Sequence, residues 1–187
     1  MKPGRRALGI AASDGDRTSS LAGAVVRASR VVDGFVFGRC TVGGQDATRA
    51  VCDLVDRLHR PDVRYLLVAG IAPAWFNVVD LHDIADRAGV PALSVSFEAS
   101  PGLEPAIRDA FEDPATVRAR LETYRAQPDR HEQSVNGETV YVRSVGVDAD
   151  EAAEVVRAYT PTGGRPEPLR VARLAARAVR DRGTRDR

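Results

Sequence analysis

Three aspartates stand where short apolar runs give way to loops: Asp14 after residues 7–12, Asp46 behind Gly43-Gly44, and Asp80 beyond residues 65–70. Carboxylates gathered at one sheet edge from separate segments are the hard oxygen donors that Mg²⁺ or Mn²⁺ takes, at about 2.0–2.6 Å. A metal held that way lowers the pKa of a bound water and neutralises charge on a phosphate under attack. Each acid also suits a local role. Asp46 and Asp80 fit the caps or first turns of helices, and Asp14 fits a Ser-Asp-Gly turn. Glu98, just past another apolar run, is a further ligand candidate. His59, His82 and His131 are scattered and read as surface residues, while Cys40 and Cys52 lack metal-ligand spacing and read as small buried hydrophobes.

The loop leading to Asp80 holds the sole tryptophan, Trp75, followed by Phe76 and Asn77. It follows an unbroken apolar run, which predicts a strand covered on both faces. A loop after the carboxyl end of such a strand is where α/β sheets open their ligand crevice. Trp75 and Phe76 there either plug the core or wall a site, the plug being the ordinary outcome. Asn77 either binds a base edge or phosphate, or ties down its own loop.

Among the 27 basic residues only Lys2 is not arginine, although the formal net charge is just +1. Arginine grips phosphate with a bidentate fork and stacks on bases. The arginines gather in the last segment, at 165, 170, 173, 177, 180, 182, 185 and 187. Arg170 and Arg173 share one side of a helix and either clamp a backbone phosphate or, for Arg170, pair with Glu167.

Along the chain, strands are expected at 7–12, 21–28, 31–40, 65–70, 91–96 and 139–147. The second and third are joined by a tight hairpin at Ser29-Arg30. Helices are expected at 46–58, 79–88, 103–111, 114–125, 148–158 and 166–180, and Asn136-Gly137 marks a turn. Three antiparallel strands, then helix–strand–helix–strand, is the order of an α/β ribonuclease-H-like mixed sheet with helices on both faces. At 187 residues and 43% hydrophobic content the chain reads as one globular domain spanning 1–187, with a short basic tail from about 181. No apolar run reaches the roughly 20 residues that span a bilayer. The N-terminal segment lacks signal-peptide character, so the expected place is the cytoplasm, with no membrane partner.

The chain resembles the archaeal endonuclease dU family, related to endonuclease V. The motifs carrying the resemblance are Gly9-Ile10, Val32-Asp33-Gly34, Gly44-Gln45-Asp46-Ala47-Thr48 and Ala69-Gly70-Ile71 leading into Phe76-Asn77-Val78-Val79-Asp80. To these is added Pro166-Glu167-Pro168-Leu169-Arg170-Val171-Ala172-Arg173. The resemblance implies an endonuclease V-like fold and Mg²⁺- or Mn²⁺-dependent nicking of DNA that carries deoxyuridine, as in repair of a deaminated base. It also implies a pocket for the exposed base.

The departures fall on the catalytic motif. Where endonuclease V has its first carboxylate this chain has Ala11, and the acid that ends the strand at 65–70 is Ala69. The C-terminal histidine is Arg173, and Asp46 alone keeps an acid, on the first helix. The expected replacement is a catalytic and metal-holding set of Asp14, Asp46 and Asp80, with Arg170, Arg173, Asn77 and Trp75 on the nucleic acid. The alternative is a catalytically inactive nucleic-acid-binding or regulatory protein on the same fold. A small-molecule pocket around Trp75 is the third reading.

Overall fold

The computed structural model describes residues 1–185, and side chains as far as residue 182. The basic tail is therefore followed only in part: the last helix continues to Arg185 instead of stopping at 180, and Arg187 lies outside the described residues.

Seven strands form one mixed sheet in the order β3-β2-β1-β4-β5-β7-β6. β1 (Arg6–Asp14), β2 (Thr18–Arg27) and β3 (Val32–Thr41) make the antiparallel meander. β4 (Val63–Ala69) and β5 (Ala92–Ser96) add in parallel beside β1. α1 (Ala47–Leu58) and α3 (Leu81–Ala88) are the crossovers. β6 (His131–Val135) and β7 (Glu138–Val145) close the far edge as a hairpin through Asn136-Gly137. This is the ribonuclease-H-like architecture expected from the element order. β6 escaped prediction because only Val135 of its five residues is buried, the pattern of a solvated edge strand.

Strand alternation divides the chain's apolar residues between two layers. Leu8, Ile10 and Ala12 of β1, with Leu66 and Val68 of β4, face α1 and α3. Ala7 of β1, with Tyr65, Leu67 and Ala69 of β4, faces the other layer, where α6 (Ala149–Ala158) and α7 (Glu167–Arg185) pack. Ala11 joins Ala24, Val26 and Ala172 under α7. Two more helices, α4 (Glu104–Ala110) and α5 (Pro114–Arg125), pack around Val78, Ile107 and Leu121.

α7 sits very close to β1, and Gly9 permits it. A Cβ on Gly9 would lie 2.3 Å from the carbonyl carbon of Pro168, well inside any carbon–carbon contact. The small residues Ala11 and Ala172 continue the same close seam. The seating of α7 fixes what its arginines can reach.

Candidate nucleic-acid interface

The register that sets Gly9 opposite Leu67 and Ile10 opposite Val68, carried one residue on, places Ala11 beside Ala69. Both side chains face α7. Ala11 is only 2% exposed. Beyond Ala69 the surface opens into a cleft of about 500 Å³. Its floor is Ala69, Gly70, Val95 and Ser96 at the carboxyl ends of β4 and β5. Its walls carry Arg165, Arg170, Arg173 and Arg177, and Glu98 is the one carboxylate among the residues that line it.

Helical geometry produces that cationic wall. Leu169, Ala172 and Ala176 are fully buried against the sheet. Arg170, Arg173 and Arg177, offset from them by one residue, stand along the margin of the buried stripe. Arg170 is tied to Glu167, Nη2 to Oε1 at 2.6 Å, the ion pair foreseen as its alternative. Arg165 lies over the Phe97 ring at 4.0 Å from its centroid. Desolvation, and then the neighbouring charges of Arg173 and Arg177, draw its pKa downward.

The expected metal set does not assemble. Among the described residues there is no group of three or more His, Cys, Asp or Glu side chains placed to hold a metal ion. Parity supplies the reason. Asp14 follows Ala11 by three residues, an odd number, so it points to the face of Ala12, away from α7. There its Oδ1 accepts from Ser19 Oγ at 2.7 Å. Asp80 caps α3, accepting from the backbone N–H of His82 at 2.9 Å and of Asp83 at 3.4 Å. Asp46 accepts from the Thr41 backbone N–H, the Thr41 hydroxyl and Asn77 Nδ2, at 3.0, 2.9 and 2.7 Å. Burial pushes the Asp46 carboxyl up, but the hydrogen bonds from Asn77 and Thr41 outweigh it and hold it below the usual range. Cys40 lies near both Asp46 and Asp14, and burial, with those charges, raises its thiol to about 12. It is an inert core thiol.

Asn77 is likewise internal. It is fully buried, accepting from the Ala47 N–H at 2.9 Å and donating to the Thr41 carbonyl at 2.8 Å as well as to Asp46. All its polar capacity pins α1 to the end of β3, so it is a loop tie and not a contact for nucleic acid. A divalent cation therefore does not fit the cleft: its donors would be one carboxylate among four guanidinium groups.

Trp75 does not plug the core; it is 51% exposed. It belongs to α2 (Pro73–Phe76), a single turn in which Ala74, Trp75 and Phe76 all have positive φ, at 50°, 52° and 58°. Three consecutive non-glycine residues in the left-handed region cost roughly 1–2 kcal/mol each, so the surroundings must hold the turn. Gly43, itself at φ 68°, passes under the indole and donates its N–H to the Ala74 carbonyl at 2.8 Å. The buried Arg120 donates to the carbonyls of Gly43, Gly44 and Phe76 and lies 3.9 Å from the Phe111 ring centroid. Its hydrophobic surroundings at 117 and 121 gave no sign of this bracing role. The braced turn walls a second pocket of about 300 Å³, shared by Trp75, Phe76, Tyr124 and Tyr141. That pocket and the arginine cleft adjoin, with Gly70, Ser96 and Glu98 lining both.

Comparison with known proteins gives the same picture at the level of family and fold. The family model described as Endonuclease dU matches residues 3–180. A UPF0215 protein of Pyrobaculum calidifontis is 34% identical over 169 residues, covering 89% of this chain and 91% of that protein. One from Thermococcus gammatolerans is 37% identical over 162 residues, covering 85% and 80%. Among solved structures, a protein of unknown function from Archaeoglobus fulgidus superimposes with a TM-score of 0.81 at 26% identity, over 93% of this chain and 97% of its own. Endonuclease V of Ciona intestinalis, crystallised with a 24-mer DNA containing an inosine, gives a TM-score of 0.60 at 10% identity, over 95% and 86%.

Proposed function

The chain belongs to the endonuclease dU family, and on that premise we propose that it is a DNA-binding protein that holds strand phosphates with arginine where the resemblance implied a metal site. One observation carries this reading. The cleft at the positions of the missing acids presents Ala69 and four arginines, while Asp14, Asp46 and Asp80 are engaged elsewhere, Asp14 and Asp46 on the opposite layer of the sheet. Guanidinium groups position a phosphate backbone and make binding salt-dependent. They neither ionise a water at neutral pH nor relay a proton.

The ligand is DNA with a damaged or deaminated base, deoxyuridine being the one in the family's name. The fold relative from Ciona is bound to a 24-mer DNA containing an inosine. In this chain the adjoining pocket offers Trp75, Phe76 and Tyr124 as flat surfaces for an extruded base. Stacking on such a ring is worth about 1–3 kcal/mol per base.

The test is retention and nicking of a labelled duplex with one deoxyuridine, in Mg²⁺ or Mn²⁺, across a salt series. Retention that weakens with salt and leaves the strand intact is the expected result. Metal-dependent nicking, or no retention at low salt, overturns the proposal.

A further inference from the structure

We infer that the arginine cleft is a receptor for a terminal phosphate monoester on a nucleic-acid strand, so that the protein binds broken or nicked ends in preference to continuous backbone. This rests on the nucleic-acid reading above and specifies what that same cleft takes.

The charge count points to a dianion. Arg170 is neutralised by Glu167. Among the described residues Arg165, Arg173 and Arg177 have no carboxylate partner, and all three line one cleft. Arg173 and Arg177 stand at i, i+4, about 5–6 Å apart at their Cβ atoms. Arg165, flattened on Phe97, faces them from the loop before α7. Against these three positive charges the cleft sets one carboxylate, Glu98, so three minus one leaves a formal +2 for an entering anion to balance. An internal phosphodiester brings a single negative charge, whereas a phosphate monoester carries about −1.5 to −2 at pH 7 and offers three free oxygens. Forked guanidiniums bind such oxygens in pairs.

The shape agrees. The cleft is floored by the strand ends Ala69, Gly70 and Val95, so a strand can enter and stop there. The aromatic pocket next door takes the terminal base while the phosphate turns into the arginines. Terminal phosphates arise when a phosphodiester is hydrolysed, so the reaction that supplies this ligand is strand cleavage by another agent.

Equilibrium binding is measured with one single-stranded oligonucleotide in three forms: 5′-phosphorylated, 3′-phosphorylated and with hydroxyls at both ends. A phosphorylated end is expected to bind about tenfold tighter or better, the scale of one strong charge-assisted contact. That preference fades below about pH 6 as the monoester takes its second proton. Arg173→Ala and Arg177→Ala, on the exposed side of α7, are each expected to remove most of the preference and to lower the salt slope by about 1. Equal affinity for all three forms overturns the terminal-phosphate site and leaves the DNA-binding reading intact. Inorganic phosphate competing at the same concentration as the phosphorylated strand also overturns it, because the strand is then irrelevant. Failure of every oligonucleotide to bind, with the fold intact by circular dichroism, overturns both.

Discussion

Replacing Gly9 with alanine tests the seam on which the cleft depends. The new Cβ would lie 2.3 Å from the Pro168 carbonyl carbon and 2.4 Å from its oxygen. Carbon atoms in contact settle at about 3.5–4.0 Å, so the first turn of α7 must retreat by more than about 1 Å. The obstacle is backbone, and Leu169 and Ala172, fully buried, must move with it. Overpacking of this kind costs about 1–3 kcal/mol, and displacement of a whole helix places Gly9→Ala at the upper end, about 3 kcal/mol. For a chain of this size that is a drop in Tm of about 6–12 °C. Gly4→Ala, with nothing within 4 Å of the added carbon, is the control and stays within about 0.5 kcal/mol of the parent. Scanning calorimetry gives the stability. Titration of DNA in the same samples shows whether Arg173 and Arg177 have shifted with their helix, expected as a weaker complex. A Tm for Gly9→Ala within about 2 °C of the parent, with unaltered DNA affinity, would refute the close seating of α7 and the cleft geometry that follows from it.

Asn77→Leu leaves the Ala47 N–H without its partner and removes one of the two donors to the Thr41 carbonyl, the Gly44 N–H remaining; about 2–4 kcal/mol should be lost, read in urea as a lower midpoint with an unchanged m-value. The Asp46 carboxyl titrates below its unfolded value, so the stability it contributes is complete above about pH 4 and disappears as pH falls through the folded pKa. Asp46→Asn should therefore flatten the acid limb of the stability–pH profile, and an unchanged limb would contradict the hydrogen-bond assignment. Gly43→Ala places a carbon 2.7 Å from the Trp75 ring. Because Trp75 is the sole tryptophan, a shift in intrinsic fluorescence reports the moved wall directly. Mg²⁺ and a chelator should both leave Tm unchanged, since a cation bound to the folded state raises it by mass action; a rise with micromolar Mg²⁺ would show a site that the side chains do not suggest.

Much of the fold was legible in the residues. The uninterrupted apolar run at 65–70, the hairpin pair at Ser29-Arg30 and the 3.6-residue spacing of Ala47, Val51 and Leu54 each specify an element by local rules. The polar edge strand β6 was not legible, because one buried residue in five leaves no alternation to detect. The left-handed turn at 74–76 was hidden for another reason. Its conformation runs against local preference and is enforced by Gly43 and Arg120, 31 and 46 residues from Ala74 in sequence.

The residue types alone determined that Ala11, Ala69 and Arg173 cannot hold a metal or move a proton, because no atom of alanine donates electrons to a cation and guanidinium repels one. They also determined the crowding of arginine into the last helix. Whether other acids compensate was beyond the reach of the sequence, since Asp14, Asp46 and Asp80 look equally close to the sheet edge when read along the chain. The tertiary structure decided it through strand parity and helix packing. A three-residue step on β1 turns Asp14 away from α7, Asp46 is taken up by Thr41 and Asn77 and Asp80 by the start of α3, and the close contact of Gly9 with Pro168 seats α7 so that its arginines line the cleft beyond Ala69.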